Sequence, residues 1–163
     1  MPTAPPTQHG FGMSSFDPSL LFRSRGCSRQ WLGFVRAMAD EFAAELPGHE
    51  LATLMARIGR RFAQRHPIGE CVALDEVEAA ANRIWHDIDW GQCRMSEQAG
   101  NVEILHAAAP LAVALSGTDW SDGFLAGVYD GWFQQLGMLA GLSVAADAPS
   151  TPDLRRFLLG RAA

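Results

Sequence analysis

The side chains with chemical reach in this sequence are scattered rather than clustered. His66, His86, His106, Cys71 and Cys93 are the metal-ligating types, yet no pair of them has the short spacing that makes a metal site specific. Asp87 and Asp89 come nearest to paired carboxylates. Two positions apart on a helix they face away from each other, so acid–base work by the pair is not expected. No GxSxG elbow, P-loop or dinucleotide fingerprint is present, so no nucleophile or phosphate cradle can be named. All thirteen basic residues are Arg, which removes Schiff-base chemistry and leaves the side chain best suited to bidentate contacts with carboxylates. The sequence predicts no enzyme, no metal and no cofactor.

What remains bears on binding. Gly123, Gly127 and Gly131 recur every fourth residue and strip one helix face of side chains, at about 1 kcal/mol each against Ala. A helix tolerates that where another backbone must come close, either a helix of the same chain or the same helix of another copy. In the second case the contact residues are Gly127, Tyr129, Gly131 and Trp132. The run Ile84-Trp85-His86-Asp87-Ile88-Asp89-Trp90-Gly91 carries two tryptophans, which are packing residues or, if exposed, a platform for a sugar ring. Arg57, Arg60, Arg61 and Arg65 form a basic helix flank, either solvated or a grip for phosphate or a partner's carboxylates.

The elements that must position these residues follow from a 163-residue chain that is 48% hydrophobic, 19% charged and carries a formal charge of -5. A chain of this length buries about 70% of the surface its unfolded form exposes, enough for a core without disulfide or metal. The deficit of positive charge argues against nucleic acid. Met1–Gly12 holds three prolines and no Lys or Arg, unlike a secretory leader. The apolar stretches Ala107–Leu115 and Leu136–Ala146 are interrupted and shorter than the roughly 18 residues of a membrane span. Three widely spaced cysteines suit a reducing compartment. A cytoplasmic protein without membrane insertion is the expectation, with the periplasm as the alternative.

Residues 1–28 read as a flexible arm and residues 29–163 as a single α+β domain, mainly helical. A first helix carries Leu32, Val35, Ala39, Phe42 and Leu46 and ends at Pro47-Gly48. A second carries Leu51, Leu54, Met55, Ile58 and Phe62, and the short link makes the two antiparallel neighbours. Asp75 and Glu78 predict a capping box that opens a third helix, ending near Asp89. Gln92–Gln98 and Val102–Ala108 predict a β-hairpin turning at Ala99-Gly100-Asn101. The most apolar helix spans Ser121 to about Leu139, Leu142–Ala146 could add a strand, and Thr151-Pro152-Asp153 predicts the start of a terminal helix. Four to five helices with a short antiparallel hairpin is the expected architecture.

From Leu54 to Met138 the order of features resembles the cellulose synthase D-subunit family of bacterial cellulose-secretion operons. The resemblance is carried by LMARIGRRFAQRHPI (Leu54–Ile68), IWHDIDWGQCRM (Ile84–Met95) with its hydrophobic-x-WG step, VEILHAAAPLA (Val102–Ala112) and WSDGFLAGVYDGWFQQLGM (Trp120–Met138). It implies a non-catalytic accessory component, a homo-octamer built as a tetramer of dimers. Such a ring would either pass glucan chains or scaffold cellulose synthase complexes in the company of a proline-rich partner, so that crystalline cellulose forms. Phe11, Phe16, Trp85, Trp90, Arg57 and Arg61 are the candidate contacts for glucan or a partner. The alternative from another class is a small-ligand sensory domain of the 4VR or haem-nitric-oxide-binding type, with His86 or His106 as haem ligand.

Overall fold

The computed structural model describes residues 27–151 and 153–161, and Phe11 and Phe16 of the N-terminal arm lie outside them. Helices α1 (Arg29–Glu45), α2 (Gly48–Arg65) and α3 (Leu74–Asp87) lead into strands β1 (Gln92–Gln98) and β2 (Asn101–Ala107). A short α4 (Pro110–Ala114) and a single 3-10 turn at Asp119–Ser121 precede α5 (Asp122–Gln135), and β3 (Leu142–Thr151) and β4 (Leu154–Arg161) close the chain. The four strands form one antiparallel sheet in the order β1-β2-β4-β3. The α+β class read from the sequence is the class observed.

The expected hairpin forms, but its loop is the two residues Ala99-Gly100 and its second strand is Asn101–Ala107, one residue earlier than the spacing predicts; Cys93 stands opposite His106 and Met95 opposite Ile104 on the core face. Its two loop residues, Ala99 and Gly100, sit at φ 42° and 89°, the left-handed pair that matches the twist of the strands they join. As an edge strand, β1 presents unpaired backbone groups, and α3 covers them. Asn82 exchanges two hydrogen bonds with Cys93: its amide nitrogen donates to the carbonyl at 2.9 Å and its oxygen accepts from the backbone N–H at 2.7 Å. Glu78 accepts from the Met95 N–H at 2.7 Å. Glu78 therefore serves the sheet edge and forms no capping box. The helix starts one residue before Asp75, at Leu74, with Ala73 in the capping position.

Two further expectations are corrected. The terminal helix expected from Thr151-Pro152-Asp153 is not found among the described residues, Pro152 lying outside them: β3 ends at Thr151, which pairs with Leu154 of β4, and the Leu154 N–H donates to the Thr151 hydroxyl. Strand β4 is held between β2 and β3, and its Phe157 and Leu159 enter the core. On the other face Arg156 bonds Glu103 of β2 at 2.7 Å and Asp147 of β3 at 3.1 Å, an ion ladder across three strands. The second correction concerns α1 and α2, which are consecutive but touch at few positions. Helix α2 packs instead along α5, while α1 leans on α4 and the residues after it, where Ala39, Ala114 and Leu115 form a small separate cluster.

Helix α5 is the centre of the molecule. Every residue from Phe124 to Phe133 is buried, as befits a helix apolar on all sides. One face receives α2, another the sheet, and at its first turn Asp122 accepts from Nε (2.7 Å) and Nη2 of Arg155 from β4 in a bidentate pair.

Candidate functional site

The glycine face of α5 meets α2 at backbone distance. A Cβ on Gly127 would fall 2.6 Å from the Cα of Ala56, and one on Gly131 would fall 2.8 Å from the Cβ of Ala63. Helix α2 reciprocates at Gly59, where a Cβ would lie 2.8 Å from the Val128 nitrogen. Tyr129 and Trp132 are fully buried, Trp132 donating its indole N–H to the His66 carbonyl at 2.8 Å. Of the two uses that the glycine spacing left open, the chain adopts the intramolecular one. The four residues expected at a dimer contact are interior to one chain, and copies could meet at them only if the fold opened.

The junction from α3 to β1 borders an apolar groove. Helix α3 stops at Asp87, Asp89 takes the left-handed conformation at φ 55°, and the Trp90 N–H returns to the Trp85 carbonyl at 2.9 Å. Gly91 follows at φ 80°, so close to the end of β2 that a Cβ would stand 2.9 Å from the Ala108 carbonyl carbon. That contact is the physical reason for glycine after Trp90. The Trp90 ring lies against Trp85 at 6.1 Å and Phe124 at 5.1 Å, and the Trp90 carbonyl accepts from Nε2 of His106 at 2.8 Å.

Beside Trp90 runs a groove of about 670 Å³. Ile88, Asp89 and Trp90 form one wall, Pro110, Leu111 and Ala114 a second, and Trp31, Leu32 and Val35 of α1 the third, with Cys27 and Ser28 at its end. Helix α1 is tied down lightly. Arg36 donates to the Ala114 carbonyl at 3.1 Å and the Cys27 thiol to the Pro110 carbonyl at 3.3 Å, and burial raises the pKa of that thiol. On the outward side of α1, Trp31 and Phe34 are both 61% exposed and Met38 is 39% exposed, at spacing i, i+3, i+7. These are the residues that sequence reasoning missed. Their helical spacing was readable, but the inner stripe of Leu32, Val35 and Ala39 accounts for the helix without them.

The other candidates separate. Trp85 is fully buried and can touch no external sugar, whereas Trp90 is half-buried on the groove wall. Arg57 and Arg61 are exposed, and with Arg60, Gln64 and Arg65 they rim a polar depression of about 450 Å³. His86 lies on the surface with Nδ1 against the Asn82 carbonyl, and His106 has both ring nitrogens engaged, by Trp90 and by the Tyr129 hydroxyl at 2.6 Å. His106 therefore has no ring nitrogen left for haem ligation, and exposed His86 lines neither the groove nor the depression. Among the described residues no group of three or more His, Cys, Asp or Glu could hold a metal ion.

Comparison with known proteins adds the family. The model of the cellulose synthase D-subunit family matches residues 19–156. Among solved structures the chain is similar to a trafficking protein particle complex subunit 3 from Naegleria fowleri covalently bound to palmitic acid. That likeness has a TM-score of 0.50 at 12% identity, covers 87% of this chain and 96% of that one, and shows a shared fold. No curated protein matches in sequence.

Proposed function

The chain belongs to the cellulose synthase D-subunit family, and from that premise we propose that it is a non-catalytic scaffold, a ring-like homo-octamer that aligns cellulose synthase complexes or guides their glucan chains into crystalline cellulose. Family membership associates it with the synthase complex. No helix among the described residues is long and apolar enough to cross a membrane. Cys27, Cys71 and Cys93 are all free thiols, which supports a place on the cytoplasmic side beside a proline-rich partner.

The observation that carries the reading is the outward face of α1. Trp31, Phe34 and Met38 form an apolar stripe next to an apolar groove, on a helix loosely held by its own chain. A lone chain gains nothing by keeping such a surface in water, and contiguous exposed patches of this kind mark contacts with other molecules. Burying it between copies supplies the aromatic anchors on which association free energy concentrates, at about 2 kcal/mol or more per hot-spot residue.

Light scattering coupled to size exclusion tests this. The native chain is expected near eight times 17.7 kDa. The Trp31→Ser/Phe34→Ser variant is expected to fall to dimers or monomers with its circular dichroism unchanged, because both side chains are exposed in the single chain. A monomeric native protein would overturn the scaffold reading, and a full-size variant would remove α1 from the interface.

A further inference from the structure

Two stripes of like charge have no ion-pair partner among the described residues. On α2, Arg57, Arg61 and Arg65 recur at i, i+4, i+8, all exposed. Of the basic residues around that depression Arg60 alone has an acid among the described residues, Asp130 at 3.6 Å. On the last turns of α1, Glu41 and Glu45 stand at i, i+4, with Asp40 beside them, all exposed and forming no ion pair among the described residues. Like charges at i, i+4 destabilise the helix that carries them. Both helices bear that repulsion without an opposite charge paired to it among the described residues.

We propose that these two stripes meet between copies: the arginine stripe of α2 on one copy docks against the acidic end of α1 on the next. Residues four apart on a helix are separated by about 6 Å along the axis, so the two rows share one pitch. Arginine, the only basic residue the chain uses, forms the bidentate carboxylate pairs that such an interface rewards. An anionic surface would satisfy the arginines but repel the acidic row, and a basic partner the reverse. A second copy satisfies both at once. Because the two patches differ, the contact is heterologous, and a heterologous contact whose rotation closes generates a ring. This interface deepens the scaffold reading and rests on it: Glu41 and Glu45 continue the row of Trp31, Phe34 and Met38 along one side of α1, so the arginine stripe meets the acidic end of the face whose aromatic end the scaffold reading already places between copies.

Charge reversal tests it by mass. R57E/R61E and E41R/E45R are each expected to lose the full assembly while retaining helical circular dichroism, since all four positions are exposed, and to weaken association on the order of a hundredfold, because like charges then face each other. An equimolar mixture of the two variants restores opposite charges at every contact of an even-membered ring and is expected to recover the full mass. Raising the salt concentration should dissociate the native ring toward the same smaller species. The neutral variant R57Q/R61Q repeats the test without reversal and should also lose mass. Reversal variants that keep full size overturn the proposal, as does a mixture that fails to reassemble. A native chain that is itself monomeric overturns the ring reading instead, which separates the two failures.

Discussion

Gly127→Ala should lower the stability of the single chain by about 1–2 kcal/mol, and Gly127→Leu should leave little folded protein at all. Two effects oppose each other here. Alanine is the better helix former by about 1 kcal/mol. Against that, the new Cβ would sit 2.6 Å from the Ala56 Cα and 2.7 Å from its carbonyl carbon, and backbone atoms cannot swing aside as a side chain does. Relief requires α2 and α5 to separate along a contact that also includes Gly59, Gly123 and Gly131, and overpacking of this kind costs about 1–3 kcal/mol or more. The clash wins. Leucine adds volume that no local shift can hold, against a total stability of about 5–15 kcal/mol. Gly33→Ala supplies the opposite sign: it lies on α1 with nothing within 4 Å of its Cβ position, so helix propensity acts alone and the change should stabilise by up to about 1 kcal/mol. Urea midpoints of the three variants decide the matter. A Gly127→Ala chain as stable as the native one would mean that the helices do not approach as described, and one that stays stable yet loses its assembly would return the glycine face to the interface between copies.

That pair of glycines also shows where sequence becomes legible. The four-residue repeat announces a close helix contact but not the identity of the other helix, since the complementary Ala52, Ala56, Gly59 and Ala63 are too ordinary a set to stand out in isolation. The hairpin was readable because its alternation and its turn chemistry agree. Asp75 and Glu78 misled because a capping box and a pair of unrelated carboxylates look alike until a strand edge nearby demands an acceptor. At the C-terminus the local signal Thr-Pro-Asp outweighed the alternation of Phe157 and Leu159, and tertiary pairing with β2 and β3 decided for a strand. The candidate site was the least legible part. Trp90 was singled out, but its partner wall on α1 depends on where a weakly attached helix comes to rest.

Acid should destabilise the chain through His106, and the direction follows from its partners. The Trp90 carbonyl can only accept, so Nε2 carries the proton, and Nδ1 then accepts from the Tyr129 hydroxyl. The ring is fully buried, and desolvation holds its pKa at about 4, the bond to Trp90 pulling weakly the other way. Its surroundings stay neutral as well, since burial pushes the Cys93 thiol up to about 12 and raises the Tyr129 hydroxyl well above its usual range. In the unfolded chain the same imidazole titrates near its ordinary value of about 6.5. Between these values the unfolded state takes up a proton that the folded state refuses. The contribution is complete above pH 6.5, declines as pH falls and is lost through pH 4, an expected total of about 3 kcal/mol. His106→Gln can retain a donor toward Trp90 and an acceptor for Tyr129 without titrating. Its stability should therefore fall less steeply than the native chain's from pH 7 to pH 4, the two urea-derived curves converging in acid by about that amount. Parallel curves would show that His106 is accessible to protons in the fold. The consequence would reach the groove, because the same imidazole fixes the backbone of Trp90 on its wall.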